Sequence, residues 1–249
     1  MWKAFIPRYI PNAVVLWVLH VVSRFSGLSR KVIRRNQEYN LEKLSNEKIS
    51  SVDKAVYTPD TFIENQSQWN NLRFGSKYQM SYSGCEVIAA YNALLSLGEK
   101  LSPSELVGLI SFFEGRGAVW KGRFGVSPKA AYQYFKKLGY QVSFSNSKDI
   151  AVINKIGEQY DTMIVTVYND KNDITKQVHT VNVSKDSLGK FHVHNGYKVR
   201  MDAQGMRTYV SAGPYDTPDA AVKGMARGNA GVLAVIGIKN NEQLYQVKN

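Results

Sequence analysis

The sequence predicts an α+β fold with its helices first and an antiparallel sheet after them. Three observations carry this. Segments within residues 85–139 place apolar side chains three and four positions apart between recognisable helix caps. From residue 141 onward, short runs rich in Val, Ile, Thr and aromatic residues follow one another across turns of Asp, Asn, Ser and Gly. The two kinds of segment are largely separated along the chain, unlike the regular strand–helix alternation of a parallel sheet.

The chain begins with a basic, apolar leader. Residues 1–35 hold Lys3, Arg8, Arg24, Arg30, Lys31, Arg34 and Arg35 and no acid, so this stretch carries seven of the net +12 charges. The body is left with a surface charge common among soluble proteins, and no zinc finger, glycine-rich RNA loop or long basic helix accompanies it, so no nucleic-acid partner is expected. Pro11-Asn12 and Ser26-Gly27 bracket a helix of about 14 residues, short of the roughly 20 needed to span a bilayer. Three readings fit: a helix lying on a membrane surface, an export signal or short anchor with a poor cleavage site, and a helix packed on the body. Localisation is correspondingly membrane-associated or exported under the first two, and compatible with the cytoplasm under the third. Residues 36–61 are polar and read as a linker or extension. The main domain is expected over 62–249.

Within that domain, 85–98 reads as a buried helix with Val87, Ile88, Tyr91, Leu94 and Leu95 on one side and Gly98 at its end. Ser102, Pro103 and Glu105 form a capping box opening a helix through about residue 113. A glycine-containing loop, 114–125, follows, then a capped helix over 127–139. Strands are predicted at 141–145, 162–168, 178–183 and 190–197, helices at 149–160 and 217–228, and a final hairpin joins 231–238 to 243–247.

The 249 residues suffice for a core without disulfide or metal. Cys85 is the sole cysteine, which excludes an intrachain disulfide and a four-cysteine zinc site. A lone cysteine is ordinarily a small hydrophobe. This one follows Gly84 at the start of an apolar helix, where orphan amides favour a thiolate and receive an oxyanion. His179 lies early in an alternating strand, and a hairpin turn at 184–189 brings Asn195 back toward it. An amide oxygen there orients an imidazole. His192 and His194 share one strand face at i, i+2 spacing. They fit a half-exposed face, or a zinc site completed by Cys85, His179 or Asp202.

The segments QMSYSGCEVIAAYNAL (79–94) and VHTVNV…FHVHNGY (178–197) resemble the C39-like branch of the papain-like cysteine peptidases. The resemblance covers roughly residues 74–197. It implies a papain-like fold with a helical N-terminal portion and an antiparallel sheet. It further implies Cys85 as nucleophile, His179 as base, Asn195 as its orienting partner and Gln79 as an oxyanion donor. The implied activity is hydrolysis of a peptide or other amide through an acyl-thioester, with a peptide or protein substrate and no cofactor or metal. Trp120, Arg116, Lys121 and Arg123 are expected to border the cleft. The departure is Glu86, a negative charge beside the thiol. The alternative is a catalytically inactive papain-like protein that binds a membrane, through residues 1–35, or a protein partner.

Overall fold

The computed structural model describes residues 10–45, 60–170, 172–173, 177–225 and 231–241. After extended Pro11, α1 (Asn12–Phe25) buries Asn12, Val15, Leu16, Leu19 and Ser23, the spacing of one helix face. Asn12 fastens its start to the domain. Its amide donates to the carbonyls of Asn146 (2.9 Å) and Val232 (2.8 Å), and its Oδ1 accepts from the Tyr168 hydroxyl (3.0 Å). Residues 12–25 are thus a helix packed on the body, the third of the readings above, with its opposite face in solvent.

α2 (Arg30–Ser45) crosses the boundary expected at 35/36, and the rest of the anticipated extension, 46–59, lies outside the described residues. Its buried side chains are asparagines. Asn40 exchanges hydrogen bonds with both backbone groups of Arg73, and Asn36 donates to the Gly75 carbonyl and to Glu114. These hold α2 against a small hairpin, β1 (Arg73–Phe74) and β2 (Tyr78–Gln79). Gly75 lies against the backbone of the 119–122 turn: a Cβ there would sit 2.4 Å from the Lys121 carbonyl.

The short α3 (Met80–Ser83) runs through Gly84 into α4 (Cys85–Ser96). Gly84 is required by contact, since a Cβ would fall within 2.6–2.8 Å of the Met80 side chain and carbonyl. α5 (Pro103–Arg116) has the predicted capping box but runs three residues further than expected, so Glu114 is a buried helical residue and not part of the loop. α6 (Pro128–Lys137), β3 (Gln141–Ser145), α7 (Ile150–Gln159), β4 (Thr162–Tyr168), β5 (Val178–Lys185), β6 (Phe191–Met201), β7 (Arg207–Tyr215), α8 (Pro218–Gly224) and β8 (Val232–Lys239) complete the order.

The larger sheet has the order β3-β8-β4-β5-β6-β7, with every pairing antiparallel. β8 therefore sits between β3 and β4 and is not paired only with the segment after it; the expected partner 243–247 lies outside the described residues. Helices cover both faces. Ile164, Ile236 and Ile238 pack with Ile88, Leu109, Phe113 and Phe135 of α4–α6, while Val165, Val181, Val193 and Val235 meet Ile153, Ile156, Ala221 and Val222 of α7 and α8. Each Val, Ile, Leu or Phe among them contributes about 1.5–3 kcal/mol by leaving water. This is a mixed α+β fold with helices at its N-terminal end and a multistranded antiparallel sheet.

Candidate functional site

The geometry around Cys85 overturns the thiol-hydrolase expectation. Cys85 opens α4, but α4 lies against β5, and the residue is buried. Its thiol hydrogen-bonds with the backbone and side chain of Thr180 and with the Glu86 backbone. Burial, then the nearby Glu86 charge, push the thiol up to about 11, outweighing the hydrogen bonds that favour a thiolate. At neutral pH the group is a protonated, enclosed thiol, the opposite of an activated nucleophile. Cysteine-dependent peptide or amide hydrolysis, and with it the classes hydrolase, thiol protease and peptidase, is corrected accordingly.

The other expected site residues are placed as follows. The ladder pairs His179 with Val167, one step along from the Thr166–Thr180 pair, whose hydroxyls lie 3.1 Å apart. His179 Nε2 lies 2.9 Å from the Asn195 backbone carbonyl, so it donates, and its ring stacks on Tyr197. The hairpin thus brings His179 and Asn195 together, but through the asparagine's backbone. Asn195, at φ 62°, uses its side-chain oxygen to accept from the Gln66 amide at 2.8 Å. Gln79 is exposed and lines a polar pocket with residues of α2 and the β1–β2 turn.

Two buried polar features stand beside these residues: the depth at which Glu86, expected beside the thiol, is enclosed, and a histidine network that sequence reasoning did not foresee. Glu86 is 1% exposed, and neither carboxylate oxygen reaches a partner at hydrogen-bonding distance, although the Thr180 hydroxyl is near. Burial pushes its carboxyl up to about 7, with Thr180 acting weakly the other way. The second is a relay. Glu64 accepts from His194 Nδ1 at 2.7 Å, and the Ser184 hydroxyl shares a hydrogen bond with His194 Nε2 at 2.8 Å, while Phe62 stacks on the ring at 3.9 Å. His194 is buried, correcting the half-exposed face expected for it; its neighbour His192 is half-buried and donates to Asp186 at 2.9 Å. Enclosed under Phe62 on an interior strand, the relay ties the 62–66 segment to the sheet. Contact with a remote segment leaves no periodicity in sequence, so nothing local could have signalled it. Among the described residues no group of three or more His, Cys, Asp or Glu is arranged to hold a metal, and the zinc reading of His192 and His194 has no such cluster behind it.

The outer surface carries a different kind of site. The solvent face of α1 exposes Val14, Trp17 (62%), Val18 and Phe25 (88%). Beside it the 119–122 turn holds Trp120 and Lys121 at φ 47° and 56°, and this left-handed pair presents Trp120 at 56% exposure. Between helix and turn runs an open apolar groove of about 860 Å³, reaching Val119, Phe124 and Tyr82. Exposed Arg24 and Lys121 adjoin Phe25 and Trp120 in the chain, and exposed Arg123 lines the groove. Among the described residues no single helix is long and apolar enough to cross a membrane, although α1 and α2, bent by 93°, pass as a pair by length and composition.

Fold and site together define an α+β protein with an enclosed, protonated cysteine and an apolar, basic-rimmed outer face. Family models, curated proteins and solved structures give no match to this chain.

Proposed function

We propose that this is a non-catalytic binding protein on a papain-like scaffold, which docks on an anionic membrane surface through α1 and the Trp120 turn. The scaffold reading is supported by the helix that starts at Cys85, packed against a strand that starts next to His179. The observation that carries the docking reading is the exposed row of Val14, Trp17, Val18, Phe25 and Trp120 within a basic rim. Apolar burial and lipid-phosphate attraction act together on such a face. α1 is already anchored by its inner stripe, so docking needs no separate folding of the helix.

Trp17 and Phe25 expose on the order of 250 Å² together, worth roughly 6 kcal/mol if fully buried at ~25 cal/mol per Å². Partial insertion recovers part of this. In vesicle co-sedimentation, wild-type protein is expected to bind phosphatidylcholine vesicles containing phosphatidylglycerol. The Trp17→Ser/Phe25→Ser variant should lose binding by about 100-fold or more with its melting temperature unchanged. Equal partitioning of variant and wild type, or none by either, refutes the docking reading.

A further inference from the structure

The polar pocket that contains Gln79 has no part in the docking face. It has a volume of about 350 Å³, near the lower end of the usual ligand range of roughly 300–1,000 Å³, which suits a headgroup-sized molecule. Its charged lining residues are Arg35, Arg73 and Lys77, three cations with no acid among them. Arg73 is braced by Tyr39, its guanidinium 3.7 Å from the ring centroid.

The floor carries a second, independent signal. Asn36 lines the pocket and is 1% exposed. Its amide nitrogen donates to the Gly75 carbonyl at 2.8 Å and to Glu114 Oε1 at 2.6 Å. Both partners are acceptors, so the amide cannot be turned round, and Oδ1 is left buried without a partner. Asn71, also in the lining, has a buried Oδ1 in the same state. A buried acceptor left unsatisfied destabilises its surroundings, and a hydroxyl donor removes that cost.

The three lining cations outnumber the single acid beneath them, Glu114, which bonds Asn36 and Gly75 and faces Arg35; that excess favours an oxyanion, and orphan amide oxygens call for hydroxyl groups. We infer that this pocket binds a phosphorylated polyol, its phosphoryl group held by Arg35, Arg73 and Lys77 and its hydroxyls donating to Asn36 and Asn71. Arginines match phosphoryl oxygens in a bidentate fork, and Gln79 at the rim adds an amide donor. The same chemistry occurs in a soluble sugar or glycerol phosphate and in a phosphoglycerol lipid headgroup. The pocket stands independently of the docking face; only the lipid source rests on the membrane reading.

The test is calorimetric titration of the full chain with glycerol 3-phosphate, inorganic phosphate and glycerate. Glycerol 3-phosphate is expected to bind at least tenfold more tightly than either comparator. The Arg35→Gln/Lys77→Gln variant, altered at two exposed side chains, should lose at least tenfold with an unchanged melting curve. The Trp17→Ser/Phe25→Ser variant should bind glycerol 3-phosphate normally, which separates this site from the docking face. No binding, equal affinity for glycerol 3-phosphate and either comparator, or an unaffected Arg35/Lys77 variant overturns the inference. Vesicles then identify the source. Phosphatidylglycerol binding that glycerol 3-phosphate displaces assigns a lipid headgroup; tight glycerol 3-phosphate binding with no displacement assigns a soluble ligand.

Discussion

Glu86 gives the sharpest physical test of the interior. Its carboxyl is buried beside Cys85 and Thr180 and titrates at about 7 in the folded chain, against 4.5 as the ordinary value. A carboxylate raised in the folded state opposes folding once the unfolded chain ionises. The penalty is absent below about pH 4.5, grows as pH rises between the two values, and is complete above about 7. That displacement corresponds to roughly 3 kcal/mol. Glu86→Gln keeps the shape and removes the ionisation. Urea unfolding at a series of pH values should give nearly equal stabilities for wild type and variant at pH 4. The variant should be about 3 kcal/mol more stable at pH 8, with the gap opening between those limits. Glu114, also raised to about 7 by burial, contributes the same slope to both proteins and cancels from the difference. Parallel curves from pH 4 to 8 would refute the claim that Glu86 is buried without compensation.

Two further outcomes follow from the same interior. With its thiol raised from 9.0 to about 11, Cys85 should react with iodoacetamide at pH 8 about 100-fold more slowly than it does in the urea-unfolded chain, before burial adds its own protection; equal rates by mass spectrometry would contradict the enclosed thiol. Asn12→Ala removes donors to Asn146 and Val232 and the acceptor for Tyr168, and chemical denaturation should show a loss of about 2–4 kcal/mol, while a loss under 1 kcal/mol would mean that α1 is not fastened at this point.

Elements that bury apolar stripes were legible in the sequence. α4, α6, α7, β3 and β4 fall where their periodicity and caps place them, as does the capping box of α5. α2 was not, because what it buries is Asn36 and Asn40, and their value lies in the backbone of Arg73 and Gly75 some 33–39 residues away. β7 was missed for a related reason. It is an edge strand with most side chains exposed or half-buried, so no inward alternation marks it. At the site, the sequence signalled a cysteine at a helix start and a hairpin joining His179 to Asn195, and both are present. The chemistry was not legible, since it turns on Thr180 facing the thiol and on the depth at which Glu86 is enclosed. The Ser184–His194–Glu64 relay and the basic pocket depend on contacts between distant segments and have no local pattern.

The position of β8 bears on how the chain is made. β3 and β4 each bond to β8, so Val232–Lys239 is inserted into the middle of the sheet although it is the last of the described strands to be synthesised. Until it emerges from the ribosome, the facing edges of β3 and β4 stay open, the Val165 and Ile164 layers lack their neighbours, and Asn12 lacks one of its acceptors, 220 residues downstream. Without β8 the strand order leaves a gap between β3 and β4 at that place in the sheet. Open strand edges in that gap pair readily with other chains. Closure of the sheet thus waits on β8, and those two edges are the ones left exposed until it pairs with both.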